Sequence, residues 1–231
     1  KNRLLKQEMT NNIAHELKTP VSSIRGYIET LLEQPHITPD KQHFFLERTH
    51  SQIVRLSDLI RDIALITKTE EASELFDKEQ VNVHNTLQEV INDLHSPIVA
   101  HGINVKNEIN PQTVIEGNKT LVYAIFRNLI ENSINYAGDH ISIGVNNYME
   151  DKEFYYFSYY DTGQGIEENH LNRIFERFYR VCEGRSRQNG GSGLGLSIVK
   201  NAVLFHKGDI SAKNRKDEGL EFLFSLKKTL F

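Results

Sequence analysis

The run Asn12-Ile13-Ala14-His15-Glu16-Leu17-Lys18-Thr19-Pro20 puts an imidazole and a carboxylate on neighbouring positions. A neutral imidazole is a nucleophile near neutral pH, and a carboxylate beside it raises its basicity. Pro20 has no backbone N–H for the carbonyl of Glu16, and its ring crowds that carbonyl, so a kink is predicted one turn after His15. A zinc-protease helix would need His-Glu-x-x-His, and the fourth position after His15 is Thr19. Two readings stay open on this stretch alone: a reactive surface histidine, and a solvated His-Glu pair on a helix face.

Three further stretches could carry chemistry. Asn128, Asn132 and Asn135 form a stripe along the edge of a predicted helix, Leu121–Tyr136, whose broad apolar face is Leu121, Val122, Ile125, Phe126 and Leu129. Asparagine is a mediocre helix former. Its amide oxygen is a hard neutral ligand, suited to magnesium already carrying phosphate charge; a solvated polar edge is the alternative. Asp161-Thr162-Gly163-Gln164-Gly165 follows an aromatic strand, so its carboxylate sits at a strand end, where it can accept a hydrogen bond from the exocyclic amine of adenine. The glycines permit a tight turn and close approach to a ligand. Asp-Thr-Gly also occurs in aspartic proteases, which pair two such carboxylates, but the helical first third gives no support for an all-β fold. Gly190-Gly191-Ser192-Gly193-Leu194-Gly195-Leu196 opens an apolar helix, whose first N–H groups suit a phosphate. It fits neither a Rossmann turn nor a P-loop, which ends in Gly-Lys-Ser/Thr. Between the last two, Ile174-Phe175-Glu176-Arg177-Phe178-Tyr179-Arg180, with Arg185 and Arg187 beyond, suits a cover over a charged ligand or an ordinary surface loop.

The elements that must position these residues fall into two sets. Residues 1 to about 34 read as a helix with Met9, Ile13, Leu17, Ile24, Ile28, Leu31 and Leu32 apolar, followed by a turn over Gln34–Asp40 in which Thr38 caps and Pro39 opens the next helix. In that helix, which runs to about Lys68, Leu46, Thr49, Ile53, Leu56, Ile60 and Ile63 alternate spacings of three and four, the seam of a coiled coil. One hairpin has too little core to stand alone, and pairing two copies gives a dimeric four-helix bundle. A charge-rich stretch, 68–80, loses the heptad and marks a domain boundary. Beyond it, predicted strands near 81–84, 103–109, 141–148, 154–160, 209–213 and 220–226 alternate with helices at 85–101, 121–136 and 194–206, an α+β layer with helices on one face of a mixed sheet.

Composition narrows the classes. A hydrophobic share of 39% and a charged share of 25% suit a folded domain rather than a disordered chain. A net charge of −4 argues against direct nucleic-acid binding. The one cysteine, Cys182, cannot close an internal disulfide, which favours a reducing compartment. No apolar run approaches a membrane span and no signal-peptide pattern is present; beginning at Lys1, the chain reads as a fragment.

The run around His15 closely resembles the phosphoacceptor box of bacterial sensor histidine kinases. The asparagine helix, Asp-x-Gly-x-Gly, the Phe/Arg segment and Gly-x-Gly-Leu-Gly-Leu resemble, in order, the boxes of their catalytic ATP-binding domain. The resemblance implies a dimerisation and phosphoacceptor domain at 1–70, a linker at 71–80, and at 81–231 an α+β sandwich of the Bergerat type, with an ATP lid at about 181–192. It implies ATP and Mg²⁺ as cofactors, phosphorylation of His15 with Glu16 orienting the ring and taking its proton, and transfer to an aspartate on the receiver domain of a response regulator. Asn132 matches the magnesium residue, supported by Asn128; Asn135 stands where many relatives carry lysine; Tyr136 matches a tyrosine beside adenine. Asp161 matches the adenine-reading acid, with Gly163, Gly165 and Ile166 in its loop. Arg180 matches a basic residue reaching the γ-phosphate, and Gly191, Gly193, Leu194, Gly195 and Leu196 match the phosphate side. Thr19 is the residue expected to hold water for dephosphorylating the regulator. The family also implies a homodimer and the cytoplasmic portion of a bacterial inner-membrane protein, anchored by segments this chain does not contain. Two other classes compete: an ATPase of the same nucleotide fold that drives conformational change, as in heat-shock chaperones and type II topoisomerases, which would lack the box at His15, and a dimeric scaffold with a relic ATP site.

Overall fold

The computed structural model describes residues 2–34, 36–71, 74, 76–181 and 191–229. The chain forms two compact units, Lys1–Ala64 and Leu65–Phe231. Lys1, Pro35 of the predicted turn, parts of the predicted linker and most of the predicted lid, including Cys182, Arg185, Arg187 and Gly190, lie outside the described residues.

The first unit is built from α1 (Asn2–Glu33) and α2 (Pro39–Glu71), whose last turns belong to the second unit. As predicted, Pro39 opens α2, and Gln42 N–H donates to the Thr38 carbonyl at 2.9 Å. Helix α1 runs through Pro20 without interruption. The proline is buried, so packing of its ring offsets the lost rung of the ladder. The predicted seam of α2 divides. Thr49 is buried, and Leu56 and Ile63 are half-buried, joined by Leu59. Leu46, Ile53 and Ile60 remain about half exposed, with Phe44 and Val54 beside them. Helix α2 is therefore apolar on more of its circumference than one partner helix covers.

The second unit carries a five-stranded sheet in the order β2-β4-β5-β7-β6, made of β2 (Asn104–Glu108), β4 (Ser142–Glu150), β5 (Phe154–Asp161), β6 (Ile210–Asn214) and β7 (Leu220–Lys227). The β2–β4 pair is parallel and the others antiparallel. A separate ribbon pairs β1 (Glu79–Asn82) with β3 (Val114–Gly117). Four helices, α3 (Val83–Asp93), α4 (His95–Ala100), α5 (Lys119–Tyr136) and α7 (Gly195–Phe205), and the short α6 (Glu168–Leu171) complete it. Large apolar side chains fall at alternate positions of the strands: Ile143 and Val145, Phe157 and Tyr159, and Leu220, Phe222, Phe224 and Leu226 are all buried. Their aromatic members interlock across the register, with Phe157 stacked on Phe224 at 5.2 Å and Phe126 of α5 edge-on to Phe224 at 6.2 Å.

Several boundaries differ from the sequence reading. The predicted helix 85–101 is two helices broken at Leu94, because Pro97 cannot donate to the carbonyl of Asp93. Helix α5 begins earlier than predicted, at Lys119, since the Asn118 side chain caps it by accepting from Leu121 N–H at 3.1 Å. Strand β3 and helix α6, four residues each, were not predicted.

A fully buried histidine joins three of these elements. His206 closes α7, and its Nδ1 donates to the Ala202 carbonyl at 2.7 Å, while Nε2 accepts from Asn118 N–H at 3.1 Å. The two partners fix a neutral ring protonated on Nδ1. Burial pushes its pKa from 6.5 down to about 4. Unfolded chains therefore take up a proton below pH 6.5 that folded ones refuse until about pH 4. This contribution to stability is complete above pH 6.5 and is lost as pH falls through that window. Chemical denaturation at pH 7.5 and 4.5 should show His206→Gln losing less stability on acidification than the parent chain, by roughly 2 kcal/mol. Equal acid losses would remove His206 from this role.

Candidate functional site

The carboxylate of Asp161 is held by three hydrogen bonds to described residues of the second unit. Strand β5 ends there, and the side chain is only 2% exposed. Its Oδ1 accepts from Gly163 N–H at 3.0 Å and Leu220 N–H at 3.3 Å, and its Oδ2 accepts from Ser133 Oγ at 3.0 Å. A carboxylate offers about four acceptor positions, so one remains on Oδ2 for an outside donor. Ser133 gives its proton to Asp161 and lies 2.9 Å from the Tyr159 hydroxyl, which also donates to the Leu129 carbonyl at 3.0 Å. Complete burial drives the Tyr159 phenol pKa well above its usual value, so Tyr159 enters this network as a neutral hydroxyl. Ser133 is absent from the sequence reading. Its signal was a hydroxyl on the apolar face, four residues after Leu129.

The loop after Asp161 leaves no room at its glycines. A Cβ on Gly163 would lie 2.2 Å from the Ala137 carbonyl oxygen, and one on Gly165 would lie 2.6 Å from Asn214 Oδ1. Ile166 follows, half-buried against the core. At the end of α5 a cleft of about 450 Å³ is lined by Asn135, Tyr136, Ala137 and Gln164, with the His101–Asp139 pair, 2.7 Å apart, among its walls. Gly191 approaches this end of α5 so closely that a Cβ would lie 2.2 Å from the Tyr136 hydroxyl.

The asparagine stripe divides by function. Asn128 donates to the Ala124 carbonyl at 2.8 Å, and its Oδ1 would lie 2.8 Å from a Cβ on Gly195, so glycine there lets α7 meet α5. Asn132 is half-exposed and its side chain makes no hydrogen bond to a described residue, which leaves its amide oxygen open to a cation. Among the described residues no cluster of His, Cys, Asp and Glu could hold a metal; a single amide oxygen suits a magnesium ion whose other ligands are phosphate and water.

Leu194, fully buried, precedes α7 and offers no side-chain cap, so the first N–H groups of Gly195, Leu196 and Ser197 remain available to an anion. Gly193 and Phe178 both adopt left-handed backbone, φ 74° and 61°, and Phe178 N–H donates to the Gly193 carbonyl at 2.8 Å. That bond ties the Phe/Arg segment to the glycine box. Ile174 is buried, Phe175 packs edge-on to Phe222 at 6.1 Å, and Arg180 is half-buried.

In the first unit His15 is exposed, and its ring makes no hydrogen bond to a described residue. Glu16 lies 3.9 Å from Arg55 of α2, both side chains about one-fifth exposed. Thr19 is exposed and donates to the His15 carbonyl at 3.4 Å, a long bond for a helix hydroxyl.

Known proteins match both units. Residues 5–72 match the His Kinase A (phospho-acceptor) domain, and residues 117–230 match the histidine kinase-, DNA gyrase B- and HSP90-like ATPase. The phosphate regulon sensor protein PhoR of Pseudomonas aeruginosa is 29% identical over 94% of this chain and 49% of its own length. The sensor histidine kinase WalK of Bacillus subtilis is 31% identical over 96% of this chain and 36% of its own length. The chain thus spans half or less of the length of these relatives. The crystal structure of histidine kinase ThkA in complex with response regulator protein TrrA shares the fold, with a TM-score of 0.74 and 23% identity over 96% of this chain and 61% of that one. With a phospho-acceptor domain followed by an ATPase domain of this kind, the chain belongs to the sensor histidine kinases and comprises their kinase core.

Proposed function

We propose that this chain transfers the γ-phosphoryl group of ATP to His15 and then to an aspartate of a response regulator. The observation that carries this reading is the buried Asp161 carboxylate with one acceptor position left, beside glycines that admit no side chain. A base with an exocyclic amine can fill that position. Asn132 would hold magnesium, which supplies charge neutralisation on the phosphates. The uncapped start of α7 and Arg180 suit the phosphate oxygens. Tyr136, Asn135 and Ile166 would flank the nucleotide, and residues 181–192 would cover it. One ring nitrogen of neutral His15 attacks the γ-phosphorus as its bond to the ADP oxygen breaks, and the proton on the ring passes to Glu16.

In this reading residues 1–70 are the phosphoacceptor domain, 71–80 a linker and 81–231 the ATP domain. The regulator is a separate receiver domain; TrrA bound to ThkA supports that choice of partner. Two copies would pair through the exposed apolar stripe of α2, Leu46, Ile53 and Ile60. The chain would work on the cytoplasmic side of a bacterial inner membrane. No described helix is long and apolar enough to cross one.

Incubation with γ-labelled ATP and magnesium tests the reaction. His15→Gln should carry no acid-labile, base-stable label yet bind ATP as the parent does, whereas Asn132→Ala should lose the label through lost magnesium. Label persisting on His15→Gln would move the acceptor elsewhere, and steady phosphate release without label would favour an ATPase.

The oligomer is read separately. Replacing Ile53 and Ile60 together by lysine should yield monomers in light scattering at tens of micromolar, with helicity retained, because unpaired charges would be buried in the dimer. A parent chain already monomeric there would end the dimer reading.

Thr19 is assigned to the reverse reaction, hydrolysis of the regulator's acyl phosphate, which needs a positioned water more than a strong base. Its hydroxyl, one turn from His15, both donates and accepts. Thr19→Ala should keep autophosphorylation and transfer but slow decay of purified phospho-regulator in the presence of ADP and magnesium. Equal decay rates would leave Thr19 with its backbone hydrogen bond alone.

A further inference from the structure

The loop that carries Asp161 is gripped by the β6–β7 hairpin, through the hairpin's two shoulders. Asn214, the last residue of β6, accepts from Ile166 N–H through Oδ1 at 3.0 Å and donates to the Ile166 carbonyl through Nδ2 at 2.6 Å. A side-chain amide thus mimics a strand partner and closes both backbone groups of one residue. The next residue, Arg215, donates from Nη1 to the Asp161 carbonyl at 3.4 Å and lays its guanidinium 4.1 Å from the centroid of Tyr160. Tyr160 in turn lies against Gly144 of β4, where a Cβ would come within 2.4 Å of the ring. On the other shoulder, Gly219 sits at φ 100°, and a Cβ there would lie 2.0 Å from the Asp161 carbonyl oxygen. Leu220 then sends its N–H to Asp161 Oδ1 at 3.3 Å. The hairpin closes on itself through Arg215 N–H to the Gly219 carbonyl at 3.0 Å.

The geometry points to Asn214 and Arg215 as positioning residues that set how well the site selects adenine. This inference rests on the reading of Asp161 as the group that accepts the exocyclic amine. The carboxylate has donors on both sides: Ser133 from α5, and Gly163 and Leu220 from the loop and hairpin. Its angle toward an incoming base is therefore set by where the hairpin holds the loop relative to α5. Asn214 holds the loop's exit at Ile166, and Arg215 adds a long bond at its entry, beside the bonds from Thr162 N–H to the Ser142 carbonyl at 3.0 Å and from Gln164 N–H to the Ala137 carbonyl at 3.3 Å. Release of either end leaves Asp161 hydrogen-bonded but aimed less narrowly. The first quantity to fall is then discrimination between bases that do and do not carry the amine.

Titration calorimetry of the full chain with ATP and with inosine triphosphate, which lacks the exocyclic amine, tests this. Asn214→Ala should weaken ATP binding roughly tenfold, the loss of about one net hydrogen bond, and leave inosine triphosphate within about twofold. Arg215→Gln, which removes the cation from Tyr160, should do the same to a smaller degree and carries the test if Asn214→Ala does not fold. Asp161→Ala serves as the reference in which the preference for ATP disappears. Two variants that weaken both nucleotides equally, or neither, while Asp161→Ala abolishes the preference, would overturn the role of the hairpin and leave the reading of Asp161 intact. An unchanged preference in Asp161→Ala would overturn both.

Discussion

A carboxylate taken out of water must be given donors, and most of the second unit is arranged to meet that demand at Asp161. A buried unpaired anion costs several kcal/mol. Here α5 supplies a hydroxyl, the adjoining loop supplies one N–H, and β7 supplies another. Two elements distant in sequence, α5 and β7, are thereby brought to fixed positions around one group. The aromatic layer beneath, Phe157 on Phe224 and Tyr159 against Phe222, holds β5 and β7 in the register that aligns Asp161 with the start of β7. Loss of that register by one residue would turn Asp161 to the opposite face of the sheet.

Much of this was legible in the residues themselves. Asp161, its glycines and the glycine box before α7 announce themselves through local chemistry, since a side chain at 163 would meet the backbone of Ala137. The long elements α1, α2, α5 and α7 follow from apolar periodicity. What escaped the sequence was held by distance. Ser133 and Leu220 act on Asp161 across 28 and 59 positions, and Asn214 acts on Ile166 across 48. No spacing rule connects such residues. Strand β3 escaped for another reason: with only Val114 to Gly117 it is too short for a period to show, and its pairing with β1 supplies the order. The break at Leu94 was legible in principle, because Pro97 stood in the run, but the apolar pattern spans the interruption.

The first unit shows the reverse balance. Its helices read clearly, yet the heptad positions alone could not tell which face of α2 meets α1. Thr49 and Leu59 turn inward, whereas Ile53 and Ile60 do not. Thr49 is a polar atom in an apolar seam, buried with no hydrogen-bond partner in the described structure. Such a group lowers the stability of the unit by about 1–3 kcal/mol relative to a well-packed apolar residue.

The single bond from Phe178 N–H to the Gly193 carbonyl has a consequence for how this kind of chain can vary. It staples the two ends of residues 179–192 at a point where both backbones are left-handed. A stretch stapled at its ends can be lengthened at small cost, about 0.6 kcal/mol for each doubling of its length. On either side of the bond the fold is anchored by its own core contacts, from Ile174 and Phe175 to buried Leu194 at the head of α7. The join between Phe178 and Gly193 therefore sets where the chain leaves and re-enters the core whatever the number of residues between them.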